Sequence, residues 1–90
     1  MRALDYRGVS NFFKALSHPT RIMIVTELLR AEKCVSDIRE LIKVKQPNIS
    51  QHLGILKASG IVDWIQQGKR KCYFLKNPQL IKDILKALKK

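Results

Sequence analysis

Apolar residues recur along this chain in blocks of helical spacing, broken once by a stretch that alternates. Val9, Phe12, Phe13 and Leu16 predict a first helix over Gly8–Leu16, which Ser17-His18-Pro19 interrupts. Proline fits the first turn of a helix, where the amides have no intrahelical partner, so a second helix is expected over Pro19–Ala31. Ile22, Val25, Leu28 and Leu29 would point inward there, with Met23 and Ile24 widening the stripe. Residues 32–36 are too few for a helix and contain Cys34-Val35, which predicts a brief strand. Ser36 or Asp37 can then cap a third helix carrying Ile38, Leu41 and Ile42 and ending near Lys43. Val44-Lys45 makes a turn, and Pro47 marks the first turn of a fourth helix.

In that fourth helix Ile49, Leu53 and Leu56 fall on one side. Asn48, Gln51, Gly54 and Ile55 lie opposite, with Gln46 and Ser50 on the flanks. Ser59-Gly60 ends it, Gly60 serving as a left-handed cap. Two strands, Ile61–Gln66 and Lys71–Leu75, follow around a Gln67-Gly68-Lys69-Arg70 tip. Asn77-Pro78 opens a last helix with Leu80, Ile81, Ile84, Leu85 and Leu88 on one side and lysines on the other. Two helices joined by a tight turn and followed by a basic hairpin make a winged helix-turn-helix. The fold expected is mainly α with a small antiparallel β-hairpin wing, the brief strand adding a third strand to the hairpin.

Charge sharpens this picture. The 90 residues carry 18 Lys and Arg against 7 Asp and Glu, a net +11. Residues 1–45 hold 9 basic and 5 acidic groups (+4), residues 46–90 hold 9 and 2 (+7). Such an excess favours a polyanion, and its bias falls on the half with the polar helix and the wing. The exposed face of the fourth helix, by contrast, is nearly uncharged and rich in Gln, Asn, Ser and His. Amides and hydroxyls pair with base edges in the major groove, while Lys and Arg hold phosphates. Ninety residues make one domain, residues 1–90. No apolar run approaches the ~18 residues of a membrane span, and MRALDYRGVSNFF lacks the form of a signal peptide, so a cytoplasmic location is expected. There is no paired-carboxylate arrangement, nucleophile elbow or phosphate-cradling glycine loop, so an enzyme is not expected, nor a cofactor. Cys34 and Cys72 form no CxxC pair, and neither His18 nor His52 stands at metal spacing, so no metal site is expected. The last helix could also lie on a membrane surface, but it lacks interfacial Trp or Phe, and a dimer interface accounts for the same stripe. The fold could instead serve constitutive DNA or RNA binding without sensing a ligand.

The segments FKALSHPTRIMIVTELL, CVSDI, QPNISQHLGILKASGIV and GKRKCYFL closely resemble the ArsR/SmtB family of transcriptional repressors, over Phe12 to Leu75. The resemblance implies a homodimer in which the first and last helices pack across a two-fold axis, bound to an inverted repeat in double-stranded DNA and released by an inducer. It places Gln46, Asn48, Ser50, Gln51 and His52 on the reading helix. Ser50 would touch a base or a phosphate, and His52 would contact DNA or pack inward. Lys57, Lys69, Arg70 and Lys71 suit backbone contacts. The chain departs from the family at Lys45, where a Ser or Thr helix cap is common. It departs again at Cys34-Val35-Ser36-Asp37, where metal sensors carry a second Cys in place of Ser36. Serine is a poor soft-metal ligand. The last helix offers only Asp83 towards the family's other metal site, and Thr26 stands near the second-helix cysteine of its redox sensors. Cys34 and Cys72 are therefore either possible sensing thiols or small structural residues. Paired strands would bring them within disulfide reach.

Overall fold

The computed structural model describes residues 4–42 and 48–89. Their elements run α1 (Tyr6–Leu16), α2 (Pro19–Leu28), β1 (Lys33–Cys34), α3 (Val35–Ile42), α4 (Ile49–Ala58), β2 (Val62–Gln67), β3 (Arg70–Leu75) and α5 (Pro78–Leu88). The expected turn at Val44-Lys45 and the first turn at Pro47 lie outside the described residues.

Caps set the boundaries. The Asp5 carboxylate accepts a hydrogen bond from the Gly8 amide at 3.1 Å, so α1 begins at Tyr6, two residues before Gly8. His18 caps α2 through its ring: Nδ1 accepts from the Thr20 amide at 3.1 Å, with Pro19 in the first turn. That helix stops at Leu28, short of the expected Ala31. The Leu29 amide is shared between the Val25 and Thr26 carbonyls, and Arg30 bonds to Glu27, which tightens the last turn out of α-geometry. The brief strand is shorter than expected, Lys33–Cys34, because α3 already starts at Val35. Neither Ser36 nor Asp37 precedes the helix as a cap. Instead Asp37 reaches back three residues to accept from the Cys34 amide at 3.3 Å. Gly60, at φ 75°, ends α4: its amide bonds to Lys57 O and that of Ile61 to Leu56 O, both at 3.0 Å, with Leu56 and Ile61 both buried. This pair of bonds is the Schellman arrangement.

The three strands pair in the order β1-β3-β2, all antiparallel, so the brief strand does join the wing. Gln67 pairs with Arg70, leaving Gly68-Lys69 as a two-residue turn in which Gly68 takes φ 63°, the conformation such hairpins require at that position. Ile24, Val25, Ile38, Leu53, Leu56 and Val62 are essentially inaccessible and form the centre of the core. Ile22 and Met23 are not part of it. They remain exposed, as do Val9 and Phe13, while Leu29 packs on the core only partly. The second helix is apolar on most of its circumference, so spacing alone does not say which side faces in. Ile81 anchors α5 on the core, whereas Leu80 and Leu88 on the same helix stay exposed. An apolar groove between α1, α2 and α5 is lined by Phe13, Leu16, Ile22, Val25, Ile81, Ile84, Leu85 and Leu88. Among the described residues no helix is long and apolar enough to cross a membrane.

Candidate nucleic-acid interface

The α4 helix presents two opposed faces. Ile49, His52, Leu53 and Leu56 are buried against the body, and Ser50, Gln51, Gly54, Ile55, Lys57 and Ala58 face outward. Asn48 occupies the N-cap position, is exposed, and makes no side-chain capping bond, so its amide is available to a ligand. Gln46 lies outside the described residues. The outward surface between Asn48 and Gly54 therefore carries hydrogen-bonding groups without formal charge, and Gly54 leaves a shallow place with no atom within 4 Å of where a Cβ would stand. A neutral, close-approaching surface suits base edges better than phosphates.

His52, expected either on DNA or in the protein, packs inward. It is 8% exposed, and its ring lies 4.5 Å from that of His18, tilted by 48°. Burial, and then the nearby His18 and Arg21 charges, lower its pKa from 6.5. It is a packing residue that ties α4 to the cap of α2. No signal in the sequence joins positions 34 residues apart in this way.

The cations sort themselves by partner. Lys69 sits at the wing turn, exposed, and among the described residues forms no ion pair. Arg70 donates to Ser36 Oγ at 2.9 Å and to Asp37 Oδ1 at 3.1 Å, which tethers the wing to α3 while its side chain stays 55% exposed. The Lys71 ammonium rests 4.2 Å from the centre of the Trp64 ring. Lys57 stands 3.9 Å from Asp63, a loose surface pair. Of the four cations assigned to backbone contacts, three thus have protein partners as well, none of which local sequence pattern could indicate.

Cys34 and Cys72 face each other in the β1–β3 register and are joined as a disulfide. Cys34 is 8% and Cys72 1% exposed. Among the described residues no cluster of three or more His, Cys, Asp or Glu could hold a metal ion.

Comparison with known proteins agrees with this geometry. The sequence profile of the bacterial regulatory proteins of the arsR family matches residues 18–63. The chain is 39% identical over 85 residues to the HTH-type transcriptional repressor SmtB of Mycobacterium tuberculosis, covering 94% of this chain and 62% of that protein. It therefore spans less than two thirds of that repressor's length. It is 38% identical over 84 residues to an HTH-type transcriptional regulator of Methanocaldococcus jannaschii, covering 92% of this chain and 93% of that one. Its structure is similar to that of the transcriptional repressor BigR from Xylella fastidiosa, with TM-score 0.79 and 35% identity over 94% of this chain and 90% of that chain. By profile, by sequence similarity and by fold, the chain belongs to the arsR family of bacterial regulatory proteins.

Proposed function

We propose that this chain is a sequence-specific, double-stranded-DNA-binding transcriptional repressor that acts in the cytoplasm as a homodimer on an inverted-repeat operator and is released by an inducer. The observation that carries the reading is the uncharged outward face of α4 beside a cationic wing, in a family whose similar members are named as repressors. Asn48, Ser50 and Gln51, with Gln46, would meet base edges; Lys57, Lys69, Arg70 and Lys71 would meet phosphates. The apolar surface left by Phe13, Leu80 and Leu88 supports a partner copy across α1 and α5, since so small a domain rarely leaves such a patch open. A solved winged helix-turn-helix domain from Mycobacterium bovis, TM-score 0.85 and 23% identical, is described as homodimeric.

Selection from a random duplex library tests the reading. An inverted repeat should emerge with half-site centres about 10 bp or a multiple apart. Gln51→Ala should then relax preference at particular base pairs by roughly 1–3 kcal/mol. Lys69→Ala should weaken all sequences alike and lower the salt slope by about one ion. Uniform loss in both variants, or equal binding of single-stranded RNA, would refute the assignment of the reading face.

A further inference from the structure

Beside the disulfide lies a groove of about 280 Å³ lined by Cys34, Val35, Ser36, Arg39, Lys69, Arg70 and Lys71. Lys71 has its ammonium over Trp64, so Arg39, Lys69 and Arg70 supply the charge, and Asp37 offsets only one of them. A positive groove next to a sulfur pair is an address for a small anion that reacts with sulfur. The pair is also placed where its opening matters. The β1–β3 ladder has two residue pairs, Lys33 with Tyr73 and Cys34 with Cys72, against six between β2 and β3. The covalent ring from Cys34 to Cys72 encloses α3, α4 and β2, the whole reading unit. The base of the wing is fixed in the core by Val62, Tyr73 and Leu75, but without the cross-link its exposed tip would be held to β1 and α3 only by that short ladder and by the exposed bonds of Arg70 to Ser36 and Asp37, which contribute little.

We propose that this groove admits a small anionic thiol, which opens the Cys34–Cys72 disulfide by exchange and so loosens the tip of the wing against the helix-turn-helix. The thiolate attacks Sγ of Cys34, the cysteine that lines the groove and the less buried of the two residues. A thiol–Cys34 mixed disulfide forms, and Cys72 leaves as a thiolate that takes a proton from solvent. A second thiolate attacks the sulfur of the bound thiol, giving the free dimer of the small thiol and the Cys34 thiolate. The balance is two thiols oxidised and one protein disulfide reduced. Inside cells, disulfides that do form are usually catalytic or redox-sensing, which favours this role over a permanent staple. The consequence for DNA rests on the function proposed above; the exchange chemistry does not.

The oxidised protein is mixed with glutathione (anionic), 2-mercaptoethanol (neutral) or cysteamine (cationic) at equal thiolate concentration, and the opening is followed by alkylation and mass. Glutathione should react about 10-fold faster than cysteamine at low salt. The preference should shrink in Arg39→Gln and vanish near 1 M salt, where screening acts within about 3 Å. Rates independent of thiol charge, or a disulfide opened no faster than the protein unfolds, would overturn the proposal. On a duplex chosen from the random library, the reduced protein should bind about 5-fold or more weakly than the oxidised. Equal affinity would overturn the loosening of the wing tip. Failure of both forms to bind any duplex refutes the DNA-binding reading instead, and the exchange rates still decide this one.

Discussion

Reducing the disulfide should cost this domain a large part of its stability, and the size follows from the chain it closes. Cys34 and Cys72 are 38 residues apart in sequence. The entropy of closing a loop of that length, removed from the unfolded chain by the cross-link, is worth about 4 kcal/mol at 25 °C. A domain of this size has of order 5–15 kcal/mol in total, so the reduced protein should remain folded with a much smaller margin. Most of the core, centred on Ile24, Leu53 and Leu56, is aliphatic packing that needs no cross-link, which is why folding itself should survive. Thermal unfolding with and without a phosphine reductant, at one protein concentration because dimers stabilise by mass action, should show a fall in Tm of roughly 15 °C or more. Cys34→Ser should unfold near the reduced wild type and show no further response to reductant. Equal midpoints for oxidised and reduced wild type would refute the reasoning, since a closed 38-residue loop must constrain the unfolded chain.

Three further outcomes follow from other sites. The pKa of His52 is lowered on folding, so the unfolded chain holds more protons around pH 6.5; its contribution is present above that pH and lost as pH falls below it. Tm should therefore drop on acidification from pH 7 to 5, with a shallower slope in His52→Gln, and identical slopes would exclude His52 as the source. Gly60→Ala should cost about 1 kcal/mol in urea unfolding through its positive φ alone, because no atom lies within 4 Å of the added methyl. Leu88→Lys should leave the monomer's circular dichroism unchanged, since Leu88 is 73% exposed, yet shift sedimentation towards monomer. An unchanged dimer would place the interface elsewhere than on α5.

The helices were legible because their apolar spacing is strong and their ends carry Pro19, Gly60 and Pro78. The wing was legible because Gly68 stands between two runs of β-forming residues. What escaped the sequence has a common cause. Ile22 and Met23 were expected inward because α2 is apolar nearly all round, and only packing of the whole chain chooses its face. The start of α1 moved because a carboxylate three residues ahead of Gly8 closes the first turn. At the interface, the polar face of α4 could be read from periodicity, since side chains there point where the helix turns them. The partners of Arg70, Lys71 and His52 could not. They come from other elements, and long side chains with several rotamers take their contacts from the assembled surface.

If the neutral face of α4 reads bases as proposed, the contrast with its charged flanks explains why the back of α4 is built so firmly. A helix that meets bases through amides gains little from long-range attraction, so its discrimination depends on being held at a fixed depth and rotation. Leu53 and Leu56 fix the depth, fully buried against the body. The Schellman bonds at Gly60 and Ile61 fix the end from which β2 departs. His52 fixes rotation from behind by its contact with His18, which is itself spent on capping α2. On the proposed reading, charge belongs at the wing and at Lys57, where misplacement by an ångström would alter attraction to phosphate only slightly. In this division the Cys34–Cys72 link, which joins β1 to β3, would act on the charged flank, since neither cysteine lies on α4. Opening it should accordingly change affinity far more than base preference, and a reduced protein that selected a different operator sequence would contradict the division.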